Sequence, residues 1–241
     1  MKMTEMKTSS AENHIPIHEH GYVRLVDFMG SDLSVANAAR ASFAKESEEF
    51  GPADARLIAF LAREGHFSPF RHAFCTFEFK VPLMTARQHW TYVVGSDHTM
   101  DSWNEASRRY VTMEPEFYVP APDEWRSAPD NKKQGSGAPI GPWEGAQLTT
   151  ALQELVVKST GLYEWAMEIG VAPEIARLFL PAYSMYTAYR WSASLQSIAL
   201  FLNQRLEDDA QKEIEETAKA VYRLVQPRFP VSIAQLVGER Q

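Results

Sequence analysis

The segment Pro82 to Tyr110, PLMTARQHWTYVVGSDHTMDSWNEASRRY, concentrates side chains that grip anions and polar rings. It carries Arg87, Arg108 and Arg109, the histidines His89 and His98, the neutral polar residues Gln88, Asn104 and Ser107, and the acid Glu105. A guanidinium fork matches phosphate oxygens two at a time, and hydroxyl and carboxamide groups add hydrogen bonds around it. Leu83, Met84, Ala86, Trp90 and Tyr92 suffice to anchor the stretch but are too few for a pure core element. The pattern suggests a nucleotide or cofactor site built on a helix, a loop and a second short polar segment. A solvated face with incidental Arg–Glu pairing is the plainer alternative.

Other candidates lie elsewhere in the chain. Arg177 sits in PEIARLFLP among apolar neighbours, where a cation requires a partner, a wet groove or a ligand. Arg205 falls near the end of the run Ser194 to Leu206. His66 and Ser68 follow a helix end and precede a strand, a place suited to touching a ligand and equally to turn chemistry. Cys75 is the single cysteine, so an internal disulfide and a multi-cysteine zinc site are ruled out. It falls on the apolar face of a strand with no base beside it, which marks buried filler rather than a nucleophile. His14, His18 and His20 have no carboxylate or cysteine framework around them, and no metal site is expected there.

The elements that must position these groups follow from periodicity. Tyr22 to Met29 alternates as a strand. Asp32 or Ser34 caps a helix through Val35, Ala38, Ala39 and Phe43. Asp54 caps another through Leu57, Ile58 and Leu61, closed by Gly65. Ala73 to Val81 is a strand with one strongly apolar face, and Pro82 opens a helix from 83 to about 92. Asn104 to Tyr110 reads as a short helix or helical turn, capped by Asp101 or Ser102, with Glu105 and Arg109 paired at i,i+4. FYVP is extended, and 121–147 is a long aperiodic connection. An amphipathic helix runs through Leu152, Leu155, Ser159, Leu162 and Ala166 to Gly170, and a short one spans Pro173 to Pro181. Tyr183 to Trp191 is aromatic and irregular, with an extended run as the alternative. Helices follow over 194–206 and 211–225, ended by PRFP.

One strand, two helices, a strong strand and then mostly helix indicate an α+β fold: a mixed antiparallel sheet with helices, in a single domain over 20–241 after a flexible tail at 1–19. No GxGxxG follows Val26 or Val81, and no GxxxxGK occurs, which disfavours a Rossmann site and a P-loop. The chain has 241 residues, 45% of them hydrophobic, and 31 acidic against 24 basic side chains for a net charge of -7. Such a surface repels a nucleic-acid backbone but tolerates a small phosphorylated ligand in a local basic pocket. The polar start MKMTEMKTSSAENH lacks a signal-peptide pattern, and no segment is long and apolar enough to span a membrane. The expectation is a cytoplasmic protein with neither nucleic acid nor membrane as partner.

Seven stretches, in order, resemble the flavin-dependent thymidylate synthase family: MGSDLSVANAARASF, GHFSPFRHAFCTFEFKVP, TARQHW, SWNEASRRY, FYVP, ARLFLP and SIALFLNQR with AQKEI after it. The resemblance implies a homotetramer with active sites between subunits. It implies FAD as cofactor, methylenetetrahydrofolate as one-carbon donor to C5 of a uridylate, and NADPH as reductant of the flavin. It implies no cysteine nucleophile, leaving pyrimidine activation to hydrogen bonding and electrostatics. Gln88, Ser107 and Arg109, with Arg108 beside them, resemble the residues holding the nucleotide phosphate and sugar, with Arg177 entering from a neighbouring subunit. Arg205 resembles the arginine against the pyrimidine ring, and Glu105 the acid between flavin and nucleotide. His66, Ser68, His98 and Asn104 fall on the cofactor side with Glu105.

The cofactor side departs from the family pattern. A basic RHR triplet becomes Asp97-His98-Thr99, and other flavin-contacting positions become Ser194, Gln196, Leu200 and Asp209. Replacement donors for the flavin phosphates are Arg71, His72, Arg108, Lys80 or the backbone amides around Gly95-Ser96. The implied activity is reductive C5-methylation of dUMP or UMP. Alternatives are C5-hydroxymethylation on the same site, or a catalytically silent nucleotide-binding regulatory protein.

Overall fold

The computed structural model describes residues 13–95, 101–106, 115–129 and 135–239. Five strands form one sheet in the order β1-β2-β3-β5-β4, with every neighbouring pair antiparallel. They are β1 (His14–Ile17), β2 (Gly21–Met29), β3 (Phe74–Pro82), β4 (Ser102–Glu105) and β5 (Tyr186–Ser194). β3 and β5 lie at the centre because their alternation is the strongest. Cys75, Phe77 and Phe79 stand opposite Ala193, Trp191 and Tyr189, and all six are buried on one face. The other face is polar: Glu78 accepts hydrogen bonds from Tyr22 Oη (3.0 Å), Arg24 Nη2 (2.9 Å) and Arg190 Nε (3.1 Å). A register shift between Leu25 and Asp27 bulges β2, and beyond it Asp27, Phe28 and Met29 are exposed.

Helices cover the apolar face. They are α1 (Asp32–Arg40), α2 (Pro52–Arg63), α3 (Leu83–Gly95), α4 (Pro142–Glu168), α5 (Pro173–Ala176), α6 (Leu195–Arg205), α7 (Lys212–Val225) and α8 (Pro230–Leu236). Those packed on the sheet are α3, α6 and α7, while α1, α2 and α8 form a cluster at one end. α7 is the clearest amphipath: Ile214, Thr217, Ala218, Val221, Leu224 and Val225 are all buried.

The single α+β domain is as the alternation indicated; several local details differ. Ser31, not Asp32 or Ser34, caps α1, and Ser34 completes its capping box. Asp32 is buried because it caps a different helix, accepting from Val231 N (2.8 Å) and Ser232 N (2.9 Å) at the start of α8. Gly51 occupies the α2 cap, where Asp54 reaches back to its N–H at 2.7 Å and also meets Arg40. Pro82 closes β3 rather than opening α3. Within the stretch read as tail, His14–Ile17 pairs with β2, and His18 Nδ1 lies 3.2 Å from Glu216. The stretch beginning at Asn104, read as a helical turn, is extended in β4: aromatic Trp103 stacks on Tyr189 of β5 at 3.8 Å, and strand pairing overrides the weak i,i+4 signal. Asp101 is not a cap; its carboxylate accepts from Trp191 Nε1 (3.2 Å) and Ser197 Oγ (2.6 Å). α4 begins at Pro142, inside the connection read as aperiodic, and α8 follows the PRFP turn where no element was expected. No described helix is long and apolar enough to cross a membrane.

Candidate active site

α3 turns the polar half of TARQHW in two directions. Thr85, Ala86, His89 and Tyr92 are buried against the sheet, while Arg87 and Thr91 face solvent and Gln88 lies at the boundary. His89 is enclosed by Phe79, Trp103, Tyr189, Trp191 and Phe201. Its Nδ1 is 2.9 Å from Tyr189 Oη. Burial, helped by the Arg205 guanidinium, pushes His89 down to about 3, so the ring is neutral near pH 7. It braces α3 and is not a general acid or base.

Arg205 closes α6, where it is half-buried. Its Nε is buried and has no hydrogen-bond partner among the described residues. Burial lowers its proton affinity, yet a guanidinium stays charged at any working pH. A half-buried cation with no carboxylate paired to it among the described residues is a costly arrangement unless a ligand completes it. Arg205 opens onto a cleft of about 490 Å³ that also takes in Gln88, Tyr118, Arg126, Gln211 and Glu213.

The far wall of the cleft is a chain of hydrogen bonds. Glu213 Oε1 accepts from Arg126 Nη2 at 2.6 Å and from Tyr118 Oη at 3.3 Å, and Oε2 accepts from Gln211 Nε2 at 2.8 Å. Gln88 Nε2 donates to Gln211 Oε1. Desolvation pushes the Glu213 carboxyl up, but the bonds from Arg126 and Gln211 outweigh it and hold the group below the ordinary carboxylate range. Arg126 is spent on this wall: its Nε also donates to Ser136 Oγ (2.7 Å) and its Nη1 to the Glu124 carbonyl (3.2 Å).

The candidates named from sequence sort unevenly. Gln88 and Arg205 come together in the cleft. Glu105 and Asn104 lie on β4; Glu105 is exposed and its Oε1 accepts from Thr187 Oγ1 at 2.7 Å, while Asn104 stands opposite Arg190. Arg177, expected among apolar neighbours, is instead exposed in the turn after α5, with its Nε on the Glu174 carbonyl at 3.1 Å; the surrounding Leu178 and Phe179 are exposed with it. Trp103 packs in the aromatic stack and does not line the cleft. His98, Ser107, Arg108 and Arg109 lie outside the described residues. Among the described residues no three His, Cys, Asp or Glu side chains converge as a metal site would need. Arg126, Gln211 and Glu213 were missed. The signal for Glu213 is an acid on the otherwise apolar face of α7, a position that demands partners.

A second, smaller hollow of about 160 Å³ lies where α2, α6 and α8 meet, bordered by Phe67, Gln196, Leu200, Asn203 and Gln235. Arg71 Nε donates to Gln196 Oε1 at 2.8 Å across its rim. Arg71 shares the turn Ser68–His72 with Ser68, next to His66. A guanidinium, a hydroxyl and an imidazole carried close to its rim are donor types that bind an anionic group, though none of the three lines the hollow itself. Lys80 is taken by Glu116 at 2.5 Å. Cys75 is buried in the core and its thiol is pushed up to about 12 by burial, so no thiolate is available for attack.

Comparison with known proteins places the chain in a family. The family model for "Thymidylate synthase complementing protein" matches residues 24–231. The flavin-dependent thymidylate synthase of Thermotoga neapolitana is 34% identical over 219 residues, covering 90% of both chains. That of Thermus thermophilus is 36% identical over 220 residues, covering 91% of this chain and 77% of the relative. Among solved structures, the UMP/dUMP methylase PolB from Streptomyces cacaoi bound with 5-Br UMP superposes with a TM-score of 0.77 at 26% identity, covering 90% of this chain and 94% of PolB. The chain belongs to the flavin-dependent thymidylate synthase family. It is an FAD-dependent methyltransferase that reductively methylates C5 of a uridine nucleotide with a folate-derived methylene donor.

Proposed function

We propose that the substrate is a uridine 5′-monophosphate, UMP or dUMP, seated in the cleft between α3, α6 and the start of α7 and turned over with NADPH as reductant. The observation that carries this reading is the partnerless Nε of Arg205 in a cleft shared with Gln88. A uracil carbonyl satisfies that guanidinium, and as C5 attacks the one-carbon donor the negative charge growing on the ring carbonyl and N3 is stabilised by it. Gln88 holds the sugar end. Ser107, Arg108 and Arg109 close on the phosphate, and Arg177 joins them from a neighbouring protomer, a role in keeping with its exposure. Glu105 orients water or the pyrimidine edge.

His66, Ser68, His98 and Asn104 hold FAD, with Arg71 supplying the cation that the altered triplet lacks. When bound, the flavin supplies the hydride that completes the methyl group. The assembly is a homotetramer. Acceptance of UMP beside dUMP is supported by the likeness to PolB, described as a UMP/dUMP methylase and solved with both 5-Br UMP and 5-Br dUMP. The test is incubation with UMP and dUMP separately, with methylenetetrahydrofolate, FAD and NADPH, and mass analysis of products. A gain of one CH₂ on either nucleotide is expected; a gain of CH₂O, or no product, overturns the methylation reading.

A further inference from the structure

We propose that Thr187 is a positioning residue whose hydroxyl aims the Glu105 carboxylate, holding one of its oxygens and leaving the other to the bound ligands. The inference rests on the reading of Glu105 as the acid between flavin and nucleotide. Alternation brings the two residues together. Tyr189 and Trp191 of β5 lie on the face of the sheet that α3 and α6 cover, so Thr187, two residues before Tyr189, lies on it as well. On β4, Trp103 stands opposite Trp191 and Glu105 opposite Tyr189, which puts both on that same face. Along either strand this face runs outward from aromatic rings to one polar group at the same end, Thr187 on β5 and Glu105 on β4.

An exposed glutamate at that place has no direction of its own, because its side-chain torsions scatter the carboxylate and ordering them costs entropy. Thr187 supplies the direction: its Oγ1 donates to Glu105 Oε1 at 2.7 Å. Threonine is β-branched and stiff at χ1, so its hydroxyl is a fixed donor. The backbone beneath it is held on both sides. Thr187 stands opposite Val81 of β3, and the neighbouring Ala188 carbonyl accepts from Ala106 N at 2.8 Å on the β4 side. Residues 187–189 thus register both the backbone at Glu105 and its carboxylate. Oε2 makes no hydrogen bond among the described residues, and it is the acceptor presented to whatever binds. A carboxylate with one oxygen tied and one free keeps its aim, which a group acting on a reacting ring requires.

Thr187→Val keeps the shape and the β-branch and removes only the donor, whereas Thr187→Ser keeps the donor on a smaller side chain. The full chain, loaded with FAD, is assayed for methyl transfer to UMP and dUMP by product mass, denaturant midpoints are taken alongside, and wild type and T187V are crystallised. T187V is expected to lose about 10-fold in kcat, the scale of one hydrogen bond, at an unchanged midpoint, with its Glu105 carboxylate swung away from the wild-type place. Thr187→Ala should behave alike and serves if valine disturbs the fold. T187S should stay within about 3-fold of wild type. In a Glu105→Ala background, adding T187V should cost less than about 2-fold, because a residue that acts through Glu105 then has nothing to aim. Wild-type turnover in T187V, an equal loss in T187S, full additivity with E105A or an unmoved carboxylate overturns the assignment. Unchanged turnover in E105A instead removes Glu105 from the site, and this inference with it. A wild type that methylates neither nucleotide overturns the uridylate reading, while the two crystal structures still decide whether Thr187 aims the carboxylate.

Discussion

Two residues set opposite electrostatic problems a short distance apart. Arg205 is a half-buried cation whose Nε has no partner among the described residues, and His89 is a ring kept neutral by burial with that cation's field added. For Arg205→Ala, kcat is expected to fall by about 100-fold or more, the usual consequence of removing one preorganised donor to developing charge. UMP affinity should fall less, since Gln88 and the proposed phosphate contacts remain. Steady-state kinetics with binding titrations checks this, and unchanged kcat refutes the role. His89 makes a prediction about pH. Its folded pKa of about 3 lies below the unfolded value of about 6.5, so the unfolded chain takes up a proton that the native one refuses. Stability from this group is intact above about pH 6.5 and drains away as pH falls toward 3. Between pH 7 and pH 5 it amounts to about 2 kcal/mol. Denaturant unfolding of His89→Gln at both pH values should show a loss smaller than wild type by that amount; parallel losses would mean the ring is protonated in the fold.

At the scale of elements, the sheet follows from alternation and the helix ends do not. Cys75, Phe77 and Phe79 announce β3 in the sequence, and their burial against Trp191 and Tyr189 is what alternation requires. β4 was misread because a strand this short at the sheet edge carries no period of its own; pairing with β5 and stacking of Trp103 on Tyr189 define it. Asp32 is a similar case. It looks like the cap of its own helix, yet its carboxylate satisfies the first amides of α8, about two hundred residues away in sequence. Asp32→Ala should cost about 2 kcal/mol, a lost cap in a buried setting, read as a lower denaturant midpoint with the β-sheet signal retained. Asp32→Asn, which keeps one acceptor oxygen, should recover part of it.

Across the molecule, the salient feature is a set of large apolar side chains left exposed among the described residues. Along α4 and the turns after it, Trp143 is 68% exposed, Leu178 78% and Tyr183 70%, joined by Trp165, Ile169, Ile175 and Phe179. Patches of this kind on a folded domain mark interfaces. Arg177 stands within this surface, so the cation assigned to a neighbour's phosphate lies where chains would meet. Trp165→Glu combined with Leu178→Glu should lower the mass seen by light scattering from the proposed tetramer to smaller species and abolish most activity, while circular dichroism stays native. A tetramer of full mass from the double variant would place the contact elsewhere.

By itself the amino-acid order determined the class of fold, the burial of Cys75, the clustering of anion-binding groups around TARQHW and SWNEASRRY, and the family they resemble. Those rest on period and on local residue chemistry, which neighbours in sequence express. Tertiary structure alone decided that the Nε of Arg205 has no partner among the described residues, that Arg177 is exposed, and that Glu213, Gln211 and Arg126 form one wall with Gln88. A buried acid on a helix face tells a reader that it must be paired, but the partner comes from a connection 87 residues upstream, and no spacing rule reaches that far.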